Sequence, residues 1–286
     1  MATSPVSAVA DPALIDRPRP GPHRLIPVTV AARTLLAPRL VRLRLTAPEF
    51  AEYTLSGPDE YFGLLMPAPG QDFTPFPLAA GANIRAAVSA LPADRRPELR
   101  WYTVRNLDRD AAAIDVDIVT HGDDGPGSHW ALRARPGDRA GVYTCSGIWS
   151  RPVRDQLLVA DATAVPALRS ILEFTAAHHP GAMTDLHAVV LAASPEQLEP
   201  GLDEWADRIG SLAVHYAPDD AQADLARSLL GDHRRSGHPA AQAGCTWTCG
   251  EAGLAKAARS LAVGDWAVPV DRAGWATYWI IGRARP

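Results

Sequence analysis

Two rhythms of apolar and polar residues divide the chain near residue 150. From about residue 24 to 148, short apolar runs alternate with polar residues. In the run PRLVRLRLTAP, Val41, Leu43 and Leu45 share one side of an extended chain, and Leu40, Arg42 and Arg44 share the other. This alternation is typical of an antiparallel sheet with one core face and one solvent face.

Further strand-like runs in this first part are DEYFGLLMPAPG, LRWYTVRNL, AIDVDIVTHG and GDRAGVYTC, each bounded by Pro, Gly or Asp. Several short strands with turn signals predict a small closed or partly closed β-barrel. The segment GQDFTPFPLAAGANIRAAVSALPADRRPE is too long for a hairpin turn. We expect it to form an excursion with one short helix.

From about residue 153, continuous apolar runs alternate with helical patterns. The predicted strands are DQLLVAD, MTDLHAVVLAAS, SLAVHYAP, AGCTWTCG and GWATYWIIGR. The predicted helices between them are ATAVPALRSILEFTAAHH, PEQLEPGLDEWADRIG, DDAQADLARSLLG and EAGLAKAARSLA. Strands that alternate with helices indicate crossover units and a parallel sheet.

The predicted fold is therefore an N-terminal antiparallel β-barrel followed by a C-terminal parallel α/β domain of the nucleotide-binding type. We place the barrel at residues 23–149 and the α/β domain at residues 150–286, with the boundary near SGIWSRPVRD. Residues 1–22, rich in Pro, Ala and Asp, predict a mobile tail.

Composition narrows the class of protein. The 286 residues carry a formal net charge of -4, which argues against a nucleic-acid binder. No run approaches the roughly 18 apolar residues of a membrane span, and the N-terminus does not have the pattern of a secretory signal. The three cysteines form no disulfide framework. We expect a cytoplasmic monomer.

Two of these cysteines could suggest a metal site. Cys245 and Cys249 alternate with small polar residues around Trp247. That period is typical of a strand, so we expect the three side chains to share one buried face, and we predict no metal site.

The run Arg100-Trp101-Tyr102-Thr103 carries candidate chemistry. On a strand, Arg100 and Tyr102 project to one face and Thr103 to the other. A tyrosine ring can stack on a flavin, a threonine hydroxyl can hydrogen-bond the flavin N5, and a guanidinium can bind a phosphate. The alternative is a barrel strand with a solvent-reaching arginine and a core tyrosine.

About twenty residues later, Gly125, Pro126, Gly127 and Ser128 precede a short helical pattern. Ser128 is a candidate N-cap. Glycines let backbone N–H groups approach a ligand closely, and a helix start favours anionic oxygens. The segment could bind a diphosphate, and the alternative is an ordinary capped turn.

Two strand ends in the second domain have a similar layout. In VADATAVPALRSILEF, a buried strand ends at Asp161, Thr163 can cap the next helix, and Pro166 falls in its first turn. In TCGEAGLAKAARSL, Gly250 and Glu251 follow a strand end. Ligands of parallel sheets bind at the carboxyl ends of the strands. The GxGxxG fingerprint of ordinary dehydrogenases is absent from the sequence.

In this order and spacing, RWYTVR, THGDDGPGSHWA, ADATAVPA and CGEAGLAKAAR resemble the siderophore-interacting protein family. These are flavin-dependent ferric-siderophore reductases related to the ferredoxin reductase superfamily. The resemblance covers about residues 24–283. It implies that the barrel binds FAD and that the second domain receives NADPH, NADH or reduced ferredoxin as electron donor.

The resemblance also implies roles for single residues. Arg100 would meet the FAD phosphate or ribityl region, Tyr102 would lie on the flavin ring and Thr103 would reach N5, so Tyr102 and Thr103 are the catalytic candidates. The remaining FAD-binding candidates are Val119, His121, Gly125, Pro126, Gly127, Ser128 and Trp130, the last equally well explained as a core residue. Asp161, Thr163, Ala164 and Pro166 would line the nicotinamide approach, with Gly250 and Glu251 at the opposite lip.

Four positions depart from the family's pattern. Ala162 stands where many members have glutamate, Gly63 where many have lysine, and Ile280 and Ile281 where others have arginines. Basic groups would attract anionic iron chelates. Their loss implies a more apolar face over the flavin, unless Arg105, Arg283 and Arg285 compensate.

The predicted function is reduction of a ferric siderophore, which releases Fe(II). If the apolar face over the flavin determines which chelate binds, the acceptor would be a neutral or cationic chelate. Two alternatives remain: a flavin-dependent reductase of a quinone, a free flavin or an organic intermediate, and a flavin-binding protein without catalytic activity.

Overall fold

The structure, a computed structural model, describes residues 22–68, 70–79, 81–120, 125–150 and 155–282. Of the predicted N-terminal tail, only Pro22 falls within these ranges. Backbone contacts divide the chain into two compact units, Met1–Gly147 and Ile148–Pro286. Each unit is built around its own sheet.

The first unit is an antiparallel sheet of seven strands in the order β4-β3-β7-β1-β2-β6-β5. Its strands are β1 (Leu25–Ala37), β2 (Leu40–Thr46), β3 (Tyr61–Met66), β4 (Glu98–Thr103), β5 (Asn106–Asp108), β6 (Ala113–Val119) and β7 (Arg139–Thr144). Two helices accompany them, α1 (Ile84–Ser89) and α2 (Pro126–Arg133).

The two edges of this sheet are joined by consecutive residues. β4 pairs with β3, and β5, which begins three residues after β4 ends, pairs with β6 at the other edge. Between them, the Val104 N–H donates to the Glu60 carbonyl at 2.8 Å and the Arg105 N–H donates to the Asp115 carbonyl at 2.8 Å. The chain therefore bridges the sheet edges, and the unit is barrel-like, as predicted.

The core of the barrel follows the alternation of the sequence. Val41, Leu43 and Leu45 of β2 are fully buried, and each such side chain contributes about 1.5–3 kcal/mol relative to an exposed one. Helix α2 adds Ala131 and its C-cap residue Ala134 to the same cluster, so this helix packs directly on the barrel core.

The opposite face of β2 is less open to solvent than its alternation suggested. Arg42 donates two hydrogen bonds of 2.7 Å to the buried carboxylate of Asp117 on β6. Arg44 pairs with Asp115 at 3.3 Å and also with Asp108. A charged side chain is stable at a half-buried position when an opposite charge lies across the strand.

The excursion between β3 and β4 holds the one short helix expected of it, α1. The Asn83 side chain caps this helix by accepting hydrogen bonds from the N–H groups of Arg85 and Ala86. Ile84 and Val88 of this helix are buried in a cluster with Leu65. The excursion therefore packs on the barrel wall.

The second unit is a parallel sheet of five strands in the order β10-β9-β8-β11-β12. Its strands are β8 (Gln156–Asp161), β9 (Leu186–Ala192), β10 (Ser211–Tyr216), β11 (Cys245–Glu251) and β12 (Ala273–Trp279). Its helices are α3 (Val165–His178), α4 (Gln222–Ser236) and α5 (Ala252–Gly264). The order reverses between β8 and β11, and this is the point where parallel sheets bind ligands.

One predicted helix of the second unit is wrong. PEQLEPGLDEWADRIG forms only two short 3-10 turns, Pro195–Gln197 and Asp203–Trp205. Its buried residues Leu198, Leu202, Trp205 and Ile209 recur at helical spacing, which produced the prediction. Pro200 interrupts the run, because proline gives up a backbone donor and clashes with the preceding turn.

Strand β11 is buried more completely than predicted. Trp247 and Cys249 are fully buried and Cys245 is half-buried. Thr246 and Thr248, on the other face of the strand, are buried as well. The strand lies between β8 and β12 with both faces covered.

Across the described ranges, none of the helices combines the length and the apolar character that a bilayer crossing needs.

Candidate functional site

The structure brings Arg100, Tyr102 and Gly127 together, although they are about 25 residues apart in the sequence. A Cβ on Gly127 would overlap the hydroxyl of Tyr102 and lie 3.8 Å from Cγ of Arg100. The first turn of α2 therefore rests on the two side chains that β4 projects to one face. Only a residue without a side chain allows this close approach.

Thr103 lies at the end of β4 and is 4% exposed. Its hydroxyl has no hydrogen-bond partner among the described residues. Buried hydroxyls in folded proteins are nearly always hydrogen-bonded, so a buried hydroxyl without a partner needs a specific explanation. A ligand atom that bonds this hydroxyl is one such explanation.

The environment of Arg100 and Tyr102 is mixed. Arg100 donates to the carbonyl of Leu99 at 2.7 Å and pairs with Glu98 at 3.1 Å, where its side chain is 25% exposed. Burial raises the pKa of Tyr102 to about 12, against a smaller lowering by the charge of Arg100. The phenol therefore stays protonated at neutral pH and can act as a hydrogen-bond donor.

Helix α2 begins earlier than the sequence suggested. Gly125 is its N-cap residue and Pro126 its first residue, so the buried Ser128 lies inside the first turn and is not the cap. Proline is favoured at this first position because its missing N–H would be unbonded there in any case. The N–H groups of Gly127 and Ser128 belong to the turn that points toward a ligand at a helix start.

Of three further FAD-binding candidates, two lie in or beside the first unit's core. Val119 is the last residue of β6 and is 9% exposed. Trp130 is half-buried and packs against the barrel core, which fits the alternative stated for it. His121 lies outside the described residues.

In the second unit, the carboxylate of Asp161 ties three strand ends together. One oxygen accepts hydrogen bonds from the Thr163 N–H at 2.8 Å, the Thr163 hydroxyl at 2.6 Å and the Ala164 N–H at 3.2 Å. The other accepts from the Glu251 N–H at 2.6 Å and the Trp279 indole N–H at 2.7 Å. Burial raises the pKa of Asp161, and the hydrogen bonds from Thr163, Trp279 and Glu251 oppose that rise.

Gly250 makes this arrangement possible. Its φ of +138° is a conformation that side chains disfavour, and a Cβ there would lie 2.5–2.8 Å from the Asp161 carboxyl group. The next residue, Glu251, is the N-cap of α5 and accepts from the Leu254 N–H at 3.1 Å. Glu251 was predicted at the lip of the site, and its side chain is buried in this cap.

The cap preceding α3 differs from the prediction. Asp161 provides it, and the Thr163 hydroxyl donates to Asp161 instead of capping a helix. Pro166 lies in the first turn of α3, as expected, and is buried along with Ala164. Of these four residues, Thr163 alone has a half-exposed side chain.

Three arginines matter for the charge near the site. Arg105, considered as a substitute for missing basic residues, is 8% exposed and lies 3.9 Å from the buried Asp117 carboxylate. Its charge is therefore matched inside the barrel wall. Arg283 and Arg285 lie outside the described residues.

Sequence reasoning missed Tyr61 and Trp101 beside Thr103, and Arg85 over the Trp101 ring. Tyr61 pairs directly with Thr103 across β3 and β4, and Trp101 pairs with Gly63. The signal was present in the sequence, because Trp101 and Thr103 are two residues apart on one strand and so share a face. The cross-strand pairing required the structure. Trp279 was missed at the Asp161 network for the same reason.

These residues fit FAD on two observations. The buried hydroxyl of Thr103 has no partner among the described residues, as a flavin-facing hydroxyl would before binding. A guanidinium, a phenol and a helix start meet at Gly127, which is the donor set for a diphosphate next to a ring.

Comparison with known proteins gives an independent result. Residues 29–148 match the family model described as siderophore-interacting FAD-binding domain, and residues 153–282 match the model described as siderophore-interacting protein. Together these matches cover nearly all of the described chain.

Individual relatives agree with the family models. The chain is 34% identical over 147 residues to an uncharacterised protein of Mycobacterium tuberculosis, covering 50% of this chain and 51% of that protein. It is 26% identical over 136 residues to the ferric vibriobactin reductase ViuB of Vibrio cholerae, covering 47% and 48%. The chain thus spans about half the length of these curated relatives.

A solved structure extends the likeness over both units. The siderophore-interacting protein SipS from Aeromonas hydrophila superimposes with a TM-score of 0.66 and 25% identity, over 92% of this chain and 94% of that chain. This likeness confirms the predicted fold class.

Proposed function

The chain belongs to the siderophore-interacting protein family, and from this premise we propose that it is a flavin-dependent reductase of ferric siderophores, with NADPH, NADH or reduced ferredoxin as electron donor. The single observation that carries the proposal is the buried hydroxyl of Thr103, which has no partner among the described residues and lies at the end of the strand that projects Arg100 and Tyr102 toward Gly127. The name of ViuB, a ferric vibriobactin reductase, supports the same reaction class.

In the proposed site, each side chain has a distinct task. Arg100 and the first turn of α2 bind the diphosphate, and Arg100 exchanges its half-exposed partner Glu98 for a phosphate. Tyr102 provides a ring surface, and its protonated phenol donates a hydrogen bond. The Thr103 hydroxyl would hydrogen-bond the flavin at N5, the atom that accepts hydride.

Bound FAD supplies the conversion of a two-electron donor into one-electron transfers, so that one NAD(P)H reduces two ferric complexes and releases one proton. The protein positions the flavin ring and excludes water on the barrel side. The iron stays bound by its chelator and not by the protein. Hard oxygen ligands bind Fe(III) far more tightly than Fe(II), so reduction of the metal releases it.

The carboxyl edge of the second sheet is the proposed site of the electron donor. Asp161 acts there as a positioning residue, because its carboxylate fixes the backbone of Thr163, Ala164 and Glu251. Thr163 offers a half-exposed side chain, and Gly250 leaves room for the Asp161 carboxyl group that holds this edge together. Ala162, where many family members have glutamate, is buried and adds no charge.

The proposal is tested by purifying the protein, loading it with FAD and recording the flavin absorbance. One FAD per chain is expected. The flavin is then reduced anaerobically with NADPH, NADH or reduced ferredoxin and mixed with ferric chelates, where reoxidation with formation of Fe(II) is expected. A protein that cannot be loaded with FAD, or a reduced flavin that no ferric chelate reoxidises, contradicts the proposal.

A quinone is the second candidate acceptor, and one observation favours it. Where many family members have a lysine, this chain has Gly63 with the indole of Trp101 lying 3.1 Å from its Cβ position. Apolar groups in place of a positive charge suit an uncharged acceptor. Rapid reoxidation of the reduced flavin by quinones, with none by any ferric chelate, would favour this candidate over the first.

A further inference from the structure

A cavity of about 260 Å³ lies at the amino end of the second sheet. It is lined by the first residues of β8 and β11, Gln156 and Cys245, and by Gly274 near the start of β12. This is the end of the strands opposite to the carboxyl edge proposed for the electron donor. Pockets for drug-sized ligands have volumes of about 300–1,000 Å³, so this cavity suits a smaller organic molecule.

The inner wall of the cavity is apolar and neutral. Trp149 and Trp247 line it and are buried. The Trp149 ring is fixed by an edge-to-face contact with Phe174 of α3, with centroids 6.0 Å apart at an interplanar angle of 74°. Burial raises the pKa of the Cys245 thiol to about 11, so the thiol adds no negative charge at neutral pH.

The Gln156 side chain presents a hydrogen-bond donor in this apolar setting. The indole N–H of Trp149 donates to Oε1 of Gln156 at 2.8 Å. Because an indole nitrogen can only donate, this contact identifies the amide oxygen and leaves the –NH₂ group for another partner. Gln156 is 2% exposed, and in the described part of the chain its –NH₂ group has no acceptor. A buried donor without an acceptor calls for a specific explanation, and an oxygen of a bound molecule is one.

The charge closest to the cavity interior is positive. Arg272 and Asp271 are exposed residues of its lining, and within the described ranges Arg272 forms no ion pair. The positive charge of Arg272 lowers the pKa of the Cys245 thiol against the larger effect of burial. The carboxylate that acts on this thiol is Asp155, which is outside the cavity lining, and not Asp271. The guanidinium is therefore the charged group that a molecule in the cavity meets.

We propose that this cavity, here named the Gln156 cavity and lined by Trp149, Gln156, Cys245, Trp247 and Arg272, binds a small aromatic carboxylate. The ring of the ligand packs on the apolar wall, and its carboxylate accepts a hydrogen bond from the Gln156 –NH₂ group and pairs with Arg272. A neutral molecule of the same shape loses the ion pair. The site uses none of the residues of the proposed flavin and donor sites, so the inference goes beyond the proposed function and does not depend on it.

The test compares two compounds with the same ring and different charge, para-fluorobenzoate and para-fluorobenzamide. Binding of each to the FAD-loaded protein is measured by fluorine NMR titration. The wild-type protein is expected to bind the carboxylate about tenfold more tightly than the amide, which is the value of one charge-assisted contact. Arg272→Gln keeps a polar side chain without the charge and is expected to bind both compounds equally.

Two further variants locate the binding. Arg227→Gln removes the same charge from an exposed position on α4 and is expected to keep the tenfold preference. Cys245→Phe places a ring inside the cavity and is expected to abolish binding of both compounds. Acetate, which has the charge without the ring, is expected not to displace para-fluorobenzoate at equal concentration. The flavin absorbance is expected to stay unchanged throughout the titrations, because the flavin lies at another site.

Equal binding of the two compounds by the wild-type protein, or no binding of either, overturns the inference. A preference that survives in Arg272→Gln, or wild-type affinity in Cys245→Phe, overturns it as well. Should Cys245→Phe fail to fold, Arg272→Gln still decides, because Arg272 is exposed. Failure of the proposed function is seen separately, in FAD loading and in reoxidation of the reduced flavin by ferric chelates.

Discussion

Replacing Thr103 with valine tests whether its hydroxyl binds the cofactor or stabilises the fold. The substitution keeps the shape of the side chain and removes a hydroxyl that is buried without a partner among the described residues. An unsatisfied buried polar group costs about 1–3 kcal/mol, so FAD-free Thr103→Val should be more stable than the wild-type protein by about 1 kcal/mol. For a domain of this size, that corresponds to about 2–4 °C in Tm.

The same change should have the opposite effect on the cofactor. If the hydroxyl bonds FAD, its loss should weaken FAD binding about fivefold, the value of one net hydrogen bond of about 1 kcal/mol. Tm of the FAD-free protein is measured by thermal scanning, and FAD affinity by flavin fluorescence titration.

Thr175→Val is the matched control. Thr175 is also buried, and its hydroxyl donates to the Ile171 carbonyl at 2.9 Å. Its replacement should leave FAD affinity unchanged and should not raise Tm. A Thr103→Val variant that lowers the Tm of the FAD-free protein, or that binds FAD as tightly as the wild type, would refute the assignment.

Three further changes test other parts of the structure. Gly127→Ala places a Cβ against the Tyr102 hydroxyl and should weaken FAD binding in a fluorescence titration, whereas Gly181→Ala, whose Cβ meets nothing within 4 Å, should not. Asp161→Asn takes a charge away from five donors and should destabilise the second unit by about 3 kcal/mol in urea denaturation; an unchanged midpoint would contradict the network. Burial lowers the pKa of His187, so the folded unit keeps it neutral while the unfolded chain binds a proton below about pH 6.5. The free energy of unfolding should therefore fall as the pH drops through that value. When both proteins are unfolded with urea at several pH values, this fall should be smaller for His187→Gln than for the wild type. An equal fall in the two proteins would refute this account.

The alternation of apolar and polar residues was sufficient for most of the fold. It separated the barrel from the parallel sheet because the two sheets bury one face and both faces of their strands, respectively. It failed at residues 195–210, where Leu198, Leu202 and Trp205 have helical spacing but anchor an irregular segment. Apolar residues mark buried positions, and in an irregular segment buried positions can recur with the same spacing as in a helix.

The candidate site was only partly readable from the sequence. The types of residue at Arg100, Tyr102 and Thr103 indicated a flavin, and the glycines at 125 and 127 indicated a helix start. The sequence could not show that Trp101 faces Gly63 or that Trp279 reaches Asp161, because strand register and strand order are set by tertiary packing. Whether Arg105 compensates for missing basic groups could not be decided from the sequence for the same reason, since its partner Asp117 lies on another strand.

The way β4 runs into β5 has a consequence for circular permutation. These consecutive strands lie at opposite edges of one sheet. The short connection between Thr103 and Asn106 therefore links the two edges. New termini cut at this point would leave two unpaired strand edges, which are templates for self-association. A circular permutant with its termini at this connection should aggregate. One with its termini in the 109–112 turn would keep the link between the two edges.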